Sequence, residues 1–313
     1  MAIPQPGPHH GRIIVAGDLG IDIHLDLSGV PRLDEKRTAA SGQRSLGGTA
    51  ANAAAAILRL GGRPLLYGAV GDDPLGVWTL TLLRDAGLDP SHVRVLRGRT
   101  MAAVVLSGDG ERQIIVDRGV ADQVAAEALT ADLSADDVVY MSATPLTLVQ
   151  AVLDAGTGAR VIVGLEARQV TRDSAAAWRH GWAGSGLIVT NSAGERALMD
   201  AGARWPGESR PPGELIVTQG SAGASYTEAS GRRLLVPAVT VEAVDATGAG
   251  DCFAGALCFF LTQGETMLDS LRLAVAAASL STRVLGSQGG LPDQSEVRAV
   301  VDRVQPVDMG GRE

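Results

Sequence analysis

Asp245-Ala246-Thr247-Gly248-Ala249-Gly250-Asp251 leads without a break into the apolar run Cys252-Phe253-Ala254-Gly255-Ala256-Leu257-Cys258-Phe259-Phe260-Leu261. A small-residue turn feeding a buried helix leaves several backbone N–H groups unpaired and aimed at one point, with the positive end of the helix dipole behind them. Such a turn traps anions: a resting phosphate, or negative charge that develops during phosphoryl transfer. Asp251 would repel a resting anion, so its place in the trap needs a reason of its own. Chemistry supplies one, because a carboxylate there can take a proton from a hydroxyl as that oxygen attacks phosphorus. The plainer reading is a loop-to-helix junction with Asp251 as a first-turn residue. The rest of the chain decides between them.

Upstream, predicted strands at residues 138–142, 160–165, 187–190 and 214–219 alternate with predicted helices at 146–155, 172–182 and 193–201. That rhythm is the pattern of a parallel sheet covered on both faces, an α/β fold that binds ligands beyond the carboxyl ends of its strands. Asn191, Thr218, Gly220, Ser221 and Gly223 follow such strands, and a polar hairpin at 224–237 then leads to the turn. Downstream, helices near 267–283 and 295–304 enclose a glycine-rich loop at 285–290, and a tail is expected over 305–313.

At the other end of the chain, residues 12–17 read as a buried strand, followed by Asp18-Leu19-Gly20-Ile21-Asp22. A dinucleotide enzyme would place Gly-x-Gly-x-x-Gly and a helix here, so the dehydrogenase reading weakens. Asp18 and Asp22 suit hydrogen bonding to hydroxyls, or are plain turn residues. Gly47-Gly48-Thr49-Ala50-Ala51-Asn52 opens a small-residue helix over 53–60. Two glycines at a helix start let a ligand approach the backbone, and Asn52 offers both donor and acceptor to a sugar hydroxyl; the same small residues also allow close helix-on-sheet packing. A strand at 64–70 and an Asp73-Pro74 helix start running to about 86 come next. Strands at 101–107 and 112–118 flank Gly108-Asp109-Gly110, a hairpin signal. Together with the polar, alternating segment before Gly47, they form a patch of antiparallel strand outside the βα rhythm, expected as a lid from about 23–45 and 97–118.

The length of 313 residues suits one large α/β domain over 12–304, with a small accessory piece. Aromatics at 3% provide no stacking platform for single-stranded nucleic acid, and a net charge of -8 argues against duplex nucleic acid or an anionic membrane as partner. Cys252 and Cys258 lie within one predicted helix and read as core, and no histidine cluster has zinc spacing. The tail over 1–11 lacks the features of a secretion signal and no long apolar span follows, so a cytoplasmic protein is expected.

The turn at 245–251, together with Gly47, Gly48, Asn52 and the run Val70-Gly71-Asp72-Asp73-Pro74-Leu75-Gly76, resembles the two signatures of the ribokinase-like (PfkB) family of carbohydrate kinases. The resemblance spans about 13–304 and implies a ribokinase-like doubly wound sheet with a small β lid. It makes Asp251 the base and Gly248, Ala249 and Gly250 the anion hole; Asp22, Gly47, Gly48, Asn52 and Arg168 fall on sugar-binding positions. Asn191, Thr218, Gly220, Ser221, Gly223 and Gly250 match nucleotide-binding positions. Asp245, Thr247, Ser281, Val284, Gly286 and Gly290 match a monovalent-cation site, so ATP and Mg2+ are implied cofactors and K+ an optional one. A homodimer joined through lid edges is also expected.

Four departures shape the expectation. The family's Asn-x-x-Glu becomes Asn191-Ser192-Ala193-Gly194, with Glu195 one place late. On a helix that shift turns a side chain by about 100°, which leaves magnesium mainly to ATP and water. The frequent Asp-x-Asn-x-Arg keeps only Arg168, and ribokinase proper has Asn where Gly20 stands and Glu where Ala143 stands. Members acting on sugar phosphates often carry Lys where this chain has Thr49, so the expected acceptor is an unphosphorylated sugar. A nucleoside or pseudouridine kinase is the alternative within the class, and a non-catalytic sugar or nucleotide sensor the alternative outside it, opposed by the retained Asp251.

Overall fold

The computed structural model describes residues 11–310 except 30, 33, 110, 132, 172, 175–176, 179–182, 185 and 203–212. In chain order the elements are β1 (Ile13–Gly17), β2 (Gly20–Asp26), β3 (Ser41–Gly47), α1 (Thr49–Arg59), β4 (Pro64–Gly71), α2 (Pro74–Asp85), β5 (Val93–Leu96), β6 (Met101–Gly108) and β7 (Glu111–Asp117). There follow α3 (Ala126–Thr130), β8 (Val138–Ser142), α4 (Leu146–Asp154), β9 (Arg160–Gly164), β10 (Leu187–Asn191), α5 (Ser192–Asp200), β11 (Glu214–Thr218), β12 (Ala224–Thr227) and β13 (Arg233–Val236). The chain closes with α6 (Ala249–Thr262), α7 (Met267–Ser281), α8 (Gln294–Val300) and β14 (Val307–Asp308).

β1 is buried along its whole length, as a short β-branched run between two neighbours should be. Its side chains alternate between two cores: Ile13 and Val15 join the side that holds α1, α6 and α7, while Ile14 and Ala16 join the side that holds α4. The large sheet runs β14-β13-β12-β11-β10-β9-β8-β1-β4-β5; β11 to β5 are parallel, and β12, β13 and β14 extend it antiparallel. A separate sheet, β3-β2-β6-β7, takes its strands from the two segments outside the βα rhythm.

The apolar run after the turn becomes α6, buried from Cys252 to Leu261. Gly255 lets it lie close to α1, since a Cβ there would come within 2.4 Å of the Ala53 carbonyl oxygen. Both cysteines are free and buried in this helix. Truncating Leu257, fully buried here, to alanine would cost about 2–5 kcal/mol.

Several boundaries differ from the sequence reading. The helix after Gly48 starts at Thr49 rather than 53, and the last predicted helix divides into α8 and a short 3-10 turn, Val301–Arg303. Val307–Asp308, within the segment read as a tail, pairs with β13 and lengthens the sheet. The helix expected over 172–182 and the N-terminal tail fall largely outside the described residues. Among the described residues, no helix is long and apolar enough to cross a membrane.

Candidate active site

From β1 the chain steps outward to β4 and β5, whereas β8, β9, β10 and β11 extend the sheet from the other side of β1. The order reverses between β1 and β8, and a crevice opens beyond their carboxyl ends. Asp18 leaves β1 there, 5% exposed, just past Gly17, which pairs with Ser142 at the end of β8. The Ser142 hydroxyl donates to Thr49 Oγ1 at 2.5 Å, and Thr49 donates its N–H (3.0 Å) and hydroxyl (2.5 Å) to Asp18 Oδ1. Arg118 Nη1 reaches Asp18 Oδ2 at 3.3 Å while its other end is bound by Asp122.

α6 points its N-terminus into this crevice. Gly248 caps it in the left-handed region (φ 75°, ψ 0°), and a Cβ there would lie 2.6 Å from that of Ser287. The Ala249 N–H donates back to the Ala246 carbonyl at 3.2 Å. Among the described residues, the N–H groups of Gly248, Gly250 and Asp251 have no partner, and the Cβ position of Gly250 opens onto empty space. Of the three amides expected in the anion hole, Ala249's is thus engaged in the turn, and Asp251's own is free in its place.

The Asp251 carboxylate accepts a hydrogen bond from Asn52 Nδ2 at 2.8 Å, from a residue 199 positions away. Burial pushes this carboxyl up to about 8; the Asn52 N–H opposes the shift, and the carboxylates of Asp18, Glu166 and Asp22 add to it. Asn52 is itself 5% exposed, and its Oδ1 accepts from Gln288 Nε2 at 3.0 Å. Asp22 comes from β2 and crowds Gly47 of β3, where a Cβ would lie 2.1 Å from Asp22 Oδ1. Burial raises the Asp22 carboxyl too; His24 and Arg112 oppose this and Asp18 reinforces it.

Across the crevice, β7 delivers Arg112, whose Nη1 donates to Thr247 Oγ1 at 2.7 Å. Thr247 donates its hydroxyl to Asp245 Oδ1 at 2.6 Å, and Asp245 Oδ2 accepts the Gly286 N–H at 2.9 Å. Burial alone would raise Asp245, but these donors hold its carboxyl below the usual range. A cavity of about 590 Å³ lies between the small sheet and the loops at 244–247 and 285–289, with His24, Gln43, Ser45, Arg112, Ser287 and Gln288 in its wall. Sequence reading missed Arg112 and Gln288. Nothing local to either residue points to a partner 135 or 236 positions away.

The residues matched to nucleotide binding lie further along the sheet. Asn191 and Thr218 end the adjacent strands β10 and β11 in register. The Asn191 side chain caps α5 by accepting the N–H groups of Ala193 and Gly194, each at 3.0 Å, and Thr218 donates to the Thr190 carbonyl at 3.3 Å. Gly220 (φ 57°), the exposed Ser221 and Gly223 (φ 97°) form a tight turn after β11. Arg168 stands on the turn Ala167–Gln169 and pairs with Glu166 at 2.5 Å, with no contact to Asp22, Asn52 or Asp251 among the described residues. Ser281 ends α7, and a Cβ on Gly290 would lie 2.2 Å from its carbonyl oxygen, so the loop carrying Val284, Gly286 and Gly290 folds back on that helix end. Among the described residues, no three His, Cys, Asp or Glu side chains gather as a metal cage.

The family model described as "pfkB family carbohydrate kinase" matches residues 11–294. The chain is 29% identical to the ribokinase of Bacillus subtilis over 93% of its own length and 99% of that protein. It is 31% identical to the ATP-dependent ribose-1-phosphate kinase of Halopiger xanaduensis, over 81% of this chain and 86% of the other. Among solved structures, the nucleoside kinase of Burkholderia thailandensis in complex with inosine superposes with a TM-score of 0.76 at 21% identity, covering 93% and 98% of the two chains. At that identity the likeness is one of fold.

Proposed function

Because this chain belongs to the pfkB family of carbohydrate kinases, and is thus an ATP-dependent phosphotransferase with an alcohol group as acceptor, we propose that it phosphorylates a hydroxyl of an unphosphorylated sugar. One observation carries the mechanism: a carboxyl with its pKa near 8, Asp251, sits beside the unpaired N–H groups of Gly248 and Gly250 at a helix N-terminus in the crevice. Asp251 takes the acceptor's proton as the acceptor oxygen bonds to the terminal phosphorus of ATP and the bond from that phosphorus to the bridging oxygen breaks, releasing ADP. The N–H groups of Gly248, Gly250 and Asp251 meet the charge on the transferring group, with Ala249 shaping the turn.

Asp22 and Asn52 orient the acceptor, and the proposed acceptor positions Gly47 and Gly48 contribute by leaving room for the Asp22 carboxylate and the Asp18 backbone beside it. Asn191, Thr218, Gly220, Ser221 and Gly223 receive the nucleotide. Arg168 acts only through Glu166, whose charge reaches Asp251. The small sheet closes over the reactants and excludes water, and the contact from Arg112 to Thr247 supports its docking on the catalytic turn.

With no cage of acidic side chains among the described residues, Mg2+ fits as a companion of ATP's phosphates, where it neutralises their charge. Asp245, Thr247 and the carbonyls of Ser281, Val284, Gly286 and Gly290 would hold K+ behind the turn. β7 is the edge of the small sheet and exposes Ile114, Ile115 and Val116, which supports a homodimer, and the setting is the cytoplasm.

The electrostatics favour an uncharged acceptor. Asp18, Glu166 and Asp22 act on Asp251 across the crevice, while Arg118 is already bound between Asp18 and Asp122 and Arg112 donates to Thr247. A phosphorylated acceptor, of the kind named for the Halopiger relative, would add negative charge to that group. A nucleoside is the second reading, because a cavity of about 590 Å³ has room for a base beside the sugar. The test is ADP release with Mg2+ and ATP across sugars, sugar phosphates and nucleosides, with and without K+. Turnover confined to sugar phosphates would overturn the proposal, and turnover confined to nucleosides would select the second reading.

A further inference from the structure

Asn52 is a buried amide whose two ends look alike in shape and opposite in chemistry: one end donates, the other accepts. Asp251 needs the donating end, because a carboxylate can only accept. Nothing in the Asn52 side chain itself selects that orientation. The choice is made one residue further out. Gln288 Nε2 lies 3.0 Å from Asn52 Oδ1 and 3.5 Å from the Leu46 carbonyl oxygen. A backbone carbonyl accepts and never donates, so the end of Gln288 that faces Leu46 must be its NH2 group. That NH2 group then faces Asn52 Oδ1, which turns Asn52 Nδ2 toward Asp251.

We propose that Gln288 is a positioning residue for the base: referenced to the Leu46 carbonyl, it locks the Asn52 amide in the orientation that directs an N–H at Asp251. The inference rests on the reading of Asp251 as base. Gln288 also lines the cavity between the small sheet and the 285–289 loop, so a bound molecule there touches the residue that orients the base. Without the Gln288 donor, Asn52 is free to flip and present Oδ1 to the carboxylate, which disfavours the ionised form. Asp18 beyond β1, Asp22 on β2, Glu166 beyond β9, Tyr140 on β8 and Cys252 on α6 also act on or with Asp251, with Arg118 and Arg112 acting on Asp18 and Asp22; a neutral substitution at Gln288 alters the charge of none of these.

Two near-isosteric variants separate donation from shape. Gln288→Met keeps the bulk, adds no charge and removes the donor, and it carries the test of orientation; Gln288→Glu replaces the donor with an acceptor and adds a charge that raises Asp251 in the same direction. Gln288 is partly exposed, and circular dichroism of both variants checks that they fold. The rising limb of the kcat/KM profile against pH should move upward by about 0.5 unit in Gln288→Met and by about 1 unit in Gln288→Glu. Activity lost at pH 7 should return at pH 9, with acceptor KM within about threefold of the parent. Profiles that superimpose on the parent, or a loss equal at every pH, would overturn the proposal. Asp251→Asn run alongside keeps the two readings apart: full activity in that variant sinks the base itself, whereas an inactive Asp251→Asn with unmoved Gln288 profiles sinks only the positioning role.

Discussion

In the half of the crevice proposed for the acceptor, Ser142, Thr49 and Asp18 form one side-chain hydrogen-bonded group and Gln288, Asn52 and Asp251 another, each drawn from distant parts of the chain. In the half proposed for the nucleotide, Asn191 and Thr218 turn their side chains back on the backbone, and Gly220, Ser221 and Gly223 offer little beyond the chain itself. The contrast follows from what each half has to do. A proton transfer needs one charged atom within a few tenths of an ångström of its target, which only cross-linked side chains can fix. Phosphates and a purine are met adequately by backbone N–H groups and an open turn.

The comparison predicts large effects on the acceptor side. Asp251→Asn should lower kcat by about 10³-fold or more while leaving acceptor affinity, measured by calorimetry, within a few-fold; unchanged turnover would remove the contrast altogether. The proposed base must be ionised, and burial pushes the Asp251 carboxyl up to about 8, so kcat/KM should rise about fiftyfold between pH 6 and 8 and level above that. The same shift acts on stability with the opposite sense. Burial raises the folded carboxyl to about 8 from its ordinary value of 3.8, so between the two only the folded state holds the proton, and Asp251 lowers stability progressively as pH rises from about 4 to about 8. Asp251→Asn should therefore melt higher than the parent at pH 8 and lose that advantage near pH 4.

Smaller changes sharpen the picture. Gly250→Ala adds a methyl where no neighbouring atom lies within 4 Å, so kcat should fall at least about tenfold with the melting temperature almost unmoved. Gly248→Ala, forced to φ 75° against Ser287, should lower the melting temperature as well. Arg112→Ala should raise acceptor KM by about 3–10-fold through a less firmly docked small sheet. Asn191→Ala removes a helix cap, about 1 kcal/mol, and should lower the melting temperature by a few degrees with little change in turnover. A tenfold loss of ATP affinity in that variant would show that the nucleotide half also relies on side chains.

The parallel sheet, the helix after Gly48 and the turn into α6 were legible because each rests on a pattern within some ten residues: a β-branched run, a glycine pair, an apolar helix behind small residues. β14 was not, since two residues in a polar C-terminal stretch become a strand only because β13 leaves an edge for them. Ala249 was expected to donate to the anion hole, but whether its N–H is free depends on how tightly the turn closes on Ala246. Arg168, singled out by its motif spacing, also pairs with Glu166 two residues away, a contact the motif does not announce.

The alternation of strands and helices, the glycines at the helix mouths and the acid behind them can all be read from neighbouring residues, because such features follow from local steric and hydrogen-bonding preferences. The tertiary structure alone decided that Asn52 meets Asp251, that Gln288 meets Asn52 and that Arg112 meets Thr247, at separations of 199, 236 and 135 residues. The physical reason is the sheet order. Strands β1 and β8 become neighbours through long-range pairing, and the side chains at their mouths acquire their charges' surroundings, and Asp251 its pKa near 8, only once that crevice has formed.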